Sequence, residues 1–447
     1  MEVLVVVVAG LFVTETRGGD GASVAARGRE AIECRSLISA LWGAGAYEKA
    51  GALWGDPNAP DPTRDPDAYG RAFGARYGLA YPAPYANDGL PMGLRHATRP
   101  DGSAGLAIDC MACHGGSIGG QSILGLGNTQ LDLHGLFHDL TRADGGRMPP
   151  SVFALNTTRG TNNAGMLTVV LLSGRNADDL TPRRFPALTG AWLPELDTPA
   201  WWILGRKRMK MYDGRTDARA SRSNMQFLLG DPGMTLERLK GLEGDFADID
   251  AYLKTLRAPE YPLAMDGERA ERGRVVFERE CARCHGRYGD GGALEYPNRV
   301  VPIEEIGTDR ARLDGLSEGF IRHYNATWIG RDFPVTAPKV GYQAPPLDGV
   351  WATAPYFHNG SVPTLWHVLK SDERPDRYRR PATTGLENYD AERVGWRYEE
   401  VAEGVEENGM RTVYDARRFG LGNGGHTYGD GLSEAERWDV IEYLKGL

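Results

Sequence analysis

Five cysteines in 447 residues, a net charge of -9 and no apolar stretch long enough to span a bilayer set the first limits on this chain. Four of the five cysteines fall in two short motifs, so Cys34 has no partner and a structural disulfide is excluded. In Ile32-Glu33-Cys34-Arg35 it lacks the small apolar residues that precede a lipid-modified cysteine, and it reads as a buried thiol. Binding a phosphate backbone needs a basic stripe; none is present, which excludes nucleic acid as a partner. The acidic balance favours a small basic redox protein as electron donor or acceptor. Sustained apolar-polar alternation is also missing, which predicts few strands and a mainly helical chain joined by long Gly- and Pro-rich loops.

Against that background two motifs stand out: Cys110-Met111-Ala112-Cys113-His114 and Cys281-Ala282-Arg283-Cys284-His285. This is the haem c attachment pattern. Each thiol adds across one vinyl group of the porphyrin, and the short helical turn between them holds the histidine under the iron as an axial ligand. Zinc would want four ligands, and no further thiol lies near either motif. A thioredoxin-like disulfide would want one motif at the end of a strand in a βαβ unit. The expectation is two covalent haems, on Cys110, Cys113 and His114, and on Cys281, Cys284 and His285.

Haem is attached to such motifs outside the bacterial inner membrane, so a periplasmic or secreted chain is expected. Val3 to Val13 has the length of a signal-peptide core and is too short to span a membrane. Glu2 stands where a basic leader would be, which suggests a truncated or misassigned start; Ala22 to Ala25 is a candidate cleavage region.

An internal echo sets the domain boundary. Asp248-Ile249-Asp250-Ala251-Tyr252-Leu253-Lys254-Thr255-Leu256 resembles Asp439-Val440-Ile441-Glu442-Tyr443-Leu444-Lys445-Gly446-Leu447, and each follows one motif. Both have apolar residues at helical spacing, as the closing helix of a cytochrome c module would. The partner of the second is an amphipathic helix predicted over Gly267 to Glu280, with Gly273 allowing close approach and Phe277 facing the crossing. The expected organisation is an apolar segment over 1–25 (a signal remnant), a helical extension over 26–59, a first module over 60–257 and a second over 265–447. Glu30 to Trp42 also reads as helical.

An iron with one histidine has a sixth position, whose occupant decides between electron transfer and catalysis. His426 lies in Gly422-Asn423-Gly424-Gly425-His426-Thr427-Tyr428-Gly429, just ahead of the last helix, where a loop folds over the far face of a porphyrin. It is the candidate second ligand of haem two, with Met410 and His358 as competitors. For haem one, His134 and His138 stand four residues apart in the predicted helix Asn128 to Leu140; either would ligate the iron, act as a distal acid/base group or line the pocket. Met148, Met209, Met211 and Met225 offer sulfur instead. Trp201-Trp202 precedes Arg206-Lys207-Arg208-Met209-Lys210, a basic run suited to neutralising haem propionates.

Ala354-Pro355-Tyr356-Phe357-His358-Asn359-Gly360-Ser361-Val362-Pro363-Thr364-Leu365 resembles the signature of the bacterial di-haem cytochrome c peroxidase superfamily. Asn87 to Arg95, Gly125 to Leu140, Asp197 to Trp202 and Gly425-His426 resemble its rubber-oxygenase-like branch. The resemblance implies a largely helical fold of two modules, an N-terminal haem that binds oxygen or peroxide, and a C-terminal haem held by two histidines, the second matching His426. It places His358 close to haem two without ligating it and Trp202 beside haem one. Through the peroxidases it also implies an interdomain calcium. The peroxidases take a methionine after the His-Asn-Gly element, and Trp366 to Asp372 contains none. The functional expectation is a haem-dependent oxidoreductase of the peroxidase or oxygenase class. A purely electron-transferring cytochrome with both irons six-coordinate is the alternative.

Overall fold

The computed structural model describes residues 23–148, 153–184, 190–336, 340–402 and 410–447. The expectations for the apolar run at 3–13 lie outside these residues, as does the Met410 side chain.

Helix α1, Val24–Cys34, begins where Ser23 accepts a hydrogen bond from the Ala26 amide. Helix α2, Leu133–Ala143, is capped by Asp132, and α3, Leu236–Leu253, by Thr235. Helix α4, Gly267–Glu280, is capped by Asp266 and occupies the span that its sequence pattern predicts. Helix α5, Glu434–Lys445, starts with a capping box in which Ser433 and Glu436 satisfy each other's backbone amides.

Four of these helices pack in two pairs built on the same local plan. In α4 and α5, a Cβ on Gly273 would overlap the Asp439 carbonyl oxygen, so only glycine permits the approach. Arg272 Nε pairs with Asp439 at 2.9 Å, and the rings of Phe277 and Tyr443 meet at 5.2 Å. In α1 and α3, a Cβ on Gly28 would overlap the Asp248 carbonyl oxygen, and Arg27 Nε pairs with Asp248 at 2.7 Å. Arg27-Gly28 thus does for Asp248 what Arg272-Gly273 does for Asp439. The partner of the first closing helix is α1, separated from its Cys-x-x-Cys-His motif by the insertion 35–109.

The expectation of a mainly helical chain of two cytochrome c modules does not hold. Among the described residues the fold is mixed, with 38% helix, 13% strand and seven small sheets. One sheet sets Ala104–Ile108 between Trp42–Gly43 and Leu94–Thr98, all antiparallel. Another sets Arg377–Arg379 between Glu399–Glu400 and Val413–Asp415. Strands of two to five residues are too short to show alternation, which is why they left no periodic trace. Two helix expectations shorten for local reasons. The run Glu30 to Trp42 is helical only to Cys34, because Arg35 is extended and Trp42 joins a sheet. The run Asn128 to Leu140 is helical only from Leu133, since the Asn128 side-chain amide is engaged by the carbonyls of Gly78 and Ala112. Cys34, expected to be buried, is exposed: it ends α1 on the side away from Gly28, Ala31 and Ile32, which face α3.

The largest apolar cluster takes residues from both halves of the chain. Ile118, Leu126 and Trp202 pack with Phe277, Ala282, Trp351, Val440 and Ile441. The segments that carry the two motifs therefore share one wall.

Candidate haem centres

The first motif forms a single helical turn, Met111–His114, held from behind. Asp109 accepts from the Met111 amide at 2.8 Å and pairs with Arg95 at 3.0 Å, while Arg95 also donates to the Glu33 and Ile32 carbonyls at the end of α1. Asn87 donates to the carbonyls of Leu90, Pro91 and Leu94, which folds Asn87 to Arg95 into a cradle. Gly93, at φ +99°, lies where a Cβ would strike the backbone of Ala112. On the other side a Cβ at Gly127 would overlap the Thr198 carbonyl. The segments Asn87 to Arg95, Gly125 to Asn128 and Asp197 to Trp202 thus converge on one turn.

His114 Nδ1 lies 3.2 Å from the Pro199 carbonyl oxygen. A carbonyl only accepts, so Nδ1 carries the proton and the Nε2 lone pair is left for a metal. Burial pushes the imidazole down to about 4, which keeps it neutral, as a ligand must be. The Trp201 indole stacks on the His114 ring at 4.4 Å and 18°. Trp202, the residue matched by resemblance to an indole beside the first haem, is one position further on. Its Nε1 donates to the Asp348 carbonyl at 2.7 Å, and its ring lies in the shared apolar wall.

The second motif repeats the arrangement. In the turn Ala282–His285, His285 Nδ1 lies 2.8 Å from the Pro345 carbonyl, and burial lowers its pKa as well. His426 stands opposite, with ring centres 6.2 Å apart and the rings inclined at 61°. Two imidazoles bonded to one metal from opposite sides at about 2 Å each place their ring centres roughly 6 Å apart. His426 is pushed down to about 3 by burial, with the neighbouring His285 adding to the effect, and its Nδ1 is buried without a hydrogen-bond partner. Its loop is clamped by Arg374, which donates to the carbonyls of Asn423 at 2.8 Å, Gly425 at 2.6 Å and His426 at 3.3 Å.

His358 lies beside this site. Its ring stacks on Tyr342 at 4.2 Å, and the ring of the adjoining Phe357 lies 5.7 Å from that of His426. Its carbonyl accepts from the Asp197 amide at 3.0 Å, linking this segment to the one that carries Pro199 and Trp201. His134 and His138 fall elsewhere: they lie on α2 opposite buried Leu133, Leu136 and Leu140. His138 is half exposed and paired with Asp139 at 2.9 Å. Among the described residues no ring contact or hydrogen bond joins either to His114.

A porphyrin fits the donor sets. Cys110 is exposed and Cys113 half-buried, yet both thiols are pushed up to about 12 by the protein enclosing them, as is Cys281. Among the described residues no three His, Cys, Asp or Glu side chains gather to hold a metal ion, so the thiols have no further side chains with which to complete a zinc site. The sequence singled out the pair Trp201-Trp202 but not which indole meets His114, and it did not disclose the two proline carbonyls or Arg374. The repeated Arg-Gly-Arg at 27–29 and 272–274 was a visible signal for α1.

Residues 341–379 match the family model described as RoxA-like, cytochrome c-like. That stretch holds Tyr342, Pro345, His358 and Arg374. A cytochrome c-like domain implies covalent haem c and electron transfer through it; the match does not reach the wider di-haem peroxidase superfamily. The chain is also similar to two proteins of Sinorhizobium fredii (strain NBRC 101917 / NGR234). It is 29% identical over 293 residues to uncharacterized protein y4iM, covering 56% of this chain and 64% of that protein. It is 26% identical over 259 residues to uncharacterized protein y4iJ, covering 43% of this chain and 41% of that protein. The family likeness therefore rests on the segment around His358, in the rubber-oxygenase-like branch of the haem cytochromes.

Proposed function

We propose that this chain is an exported di-haem cytochrome c in which the haem on Cys110 and Cys113 faces oxygen or peroxide and the haem on Cys281 and Cys284 relays electrons to or from a small redox protein. When bound, haem supplies one-electron redox chemistry and, where a coordination position is open, a site for a small oxidant. The observation that carries the reading is the asymmetry of the two centres. His285 has a second imidazole opposite it at a distance suited to sharing one metal, whereas His114 has an indole stacked on its own ring.

The residues around the two centres act in different ways. Pro199 and Pro345 hold His114 and His285 in the tautomer that frees Nε2. Arg374 fixes the loop of His426, so the second ligand is preorganised and little rearrangement accompanies a change of charge. Trp201 orients His114, and Trp202 fills the wall between the two centres, excluding water from the path between them. Export is supported by the chemistry of haem c attachment; no described helix is long and apolar enough to cross a membrane.

Mass spectrometry of protein made with the haem c attachment machinery is expected to show a gain of two haems. Electron paramagnetic resonance of the oxidised protein should then give one high-spin and one low-spin ferric signal. Two low-spin signals, with neither iron binding cyanide, would remove the oxygen- or peroxide-facing role; no mass gain would remove the whole reading.

A further inference from the structure

Of the three imidazoles assigned to the irons, two are steered by a hydrogen bond and the third is not. His114 and His285 each set Nδ1 against a proline carbonyl, at 3.2 and 2.8 Å. His426 Nδ1 is buried with no hydrogen-bond partner. A ligating imidazole ordinarily has its second nitrogen bonded, which fixes how the ring turns about the metal–nitrogen bond. Arg374 clamps the backbone of the His426 loop, but bonds to backbone carbonyls do not set the torsions of a side chain. The rotation of the His426 ring is therefore left to packing.

Two aromatic rings besides that of His285 lie against it. Tyr428 meets it edge-on at 5.2 Å and 90°, and Phe357 at 5.7 Å and 54°. Tyr428 belongs to the same glycine-rich loop and moves with it, so it gives the imidazole no fixed reference. Phe357 comes from a separate segment that is pinned from several sides. Tyr356 and Val362 bond to each other's backbone at 2.7 and 3.3 Å, closing a tight turn over 357–361. Asn359, fully buried, donates from its side chain to the carbonyls of Gly420 at 3.1 Å and Gly422 at 2.9 Å, which ties that turn to the start of the His426 loop. The Arg374 guanidinium lies over the Phe357 ring at 4.9 Å while its N–H groups hold the carbonyls of Asn423 and Gly425.

The backbone is strained on both sides of this contact. Phe357 has φ +71° and His426 φ +47°, both in the left-handed region. A bulky side chain is rarely found there, and such a residue persists only where its surroundings over-determine it. Glycine would take the turn at position 357 without strain, but it would bring no ring against the imidazole. The two strained residues meet through their rings, and His426 in turn stands opposite His285 at 6.2 Å.

We propose that Phe357 is the positioning residue of the second centre: its ring, held by the Asn359 turn and the Arg374 guanidinium, sets the rotation of the His426 imidazole and keeps that ligand on the iron. This rests on the reading above of His285 and His426 as the two ligands of one haem. The inclination of 61° between the two imidazoles is then kept when haem is bound, because one ring is bonded to Pro345 and the other is packed on Phe357. Ligand planes that far from parallel bring two d orbitals of the iron close in energy and raise the largest g value of the low-spin ferric signal.

The test uses the full holo-protein with two haems confirmed by mass and with His426→Ala shown to remove the second low-spin signal, so failure of the haem or ligand reading is seen separately and first. Electron paramagnetic resonance of the unaltered protein is expected to give the second haem a larger highest g value than a bis-imidazole haem with parallel planes. F357A should shift that value, and cyanide should erase the signal about twofold to tenfold faster, the range to which loss of one aromatic pair corresponds. F357Y, which keeps the ring face, should match the parent in both readouts. A parallel-plane signal in the unaltered protein, an observation that needs no variant to fold, would overturn the proposal. So would an unchanged g value in F357A, a shift in F357Y as large as that in F357A, or a shift in Y428L where F357A gives none.

Discussion

Replacing Gly273 with alanine adds one methyl group at the point where α4 crosses α5, and its effect follows from the contact it meets. The new Cβ would overlap the Asp439 carbonyl oxygen, a backbone atom that cannot rotate away. Restoring ordinary van der Waals separation moves the helices apart by about 1.5 Å, enough to forfeit more than half of the dispersion energy of atom pairs along the crossing. Those pairs include Phe277 with Tyr443 and the buried Val276, Val440, Ile441 and Leu444. Overpacking of this kind costs about 1–3 kcal/mol, against which the better helix propensity of alanine returns up to about 1 kcal/mol. The expected net loss is about 1–2 kcal/mol, or a thermal midpoint lower by roughly 2–5 °C, followed by far-ultraviolet circular dichroism on the holo-protein. The same change at Gly244, exposed in α3 with nothing within 4 Å of its Cβ position, should raise stability by about 0.5–1 kcal/mol. If G273A melts at or above the parent temperature, or G244A falls with it, the close-approach account of the paired helices is wrong.

Three further outcomes can be checked directly. His426→Ala should turn the second haem high-spin while the first keeps its spectrum, and added imidazole should restore the low-spin bands; an unchanged spectrum would dismiss His426 as a ligand. The double variant C110A/C113A should lose the mass of one haem and retain the second centre's optical bands, whereas loss of both haems would argue against independent attachment. His367 is 1% exposed, bonded to Thr364 Oγ1 at 2.7 Å and to the Tyr398 hydroxyl at 3.1 Å, and burial pushes it down to about 4. Its folded value lies below the unfolded value, so the unfolded chain takes the proton first. Stability should therefore fall by up to roughly 3 kcal/mol as pH drops from about 6.5 to about 4. His367→Gln should flatten that part of the pH profile in denaturant titrations, and an unaltered slope would refute the assignment.

Covalent spacing settled the most at the level of sequence. Two Cys-x-x-Cys-His turns need no distant residue to announce themselves, because thiols and imidazole act within one helical turn. The echo of Asp248–Leu256 in Asp439–Leu447, and the glycine and phenylalanine of α4, were legible because helical packing leaves a periodic record. His426 was marked by the glycines around it, which let backbone approach a flat ring. Other features depend on residues far apart in the chain, and folding alone united them. Among the described residues four of the small sheets are local hairpins and the others join segments further apart, but strands of a few residues carry no period to read. Which of two adjacent indoles faces His114, which carbonyl orients each motif histidine, and which ring of a distant segment lies against His426 were decided by tertiary structure. Local chemistry is written in neighbouring residues, whereas ring stacking in a closed interior depends on what the fold brings alongside.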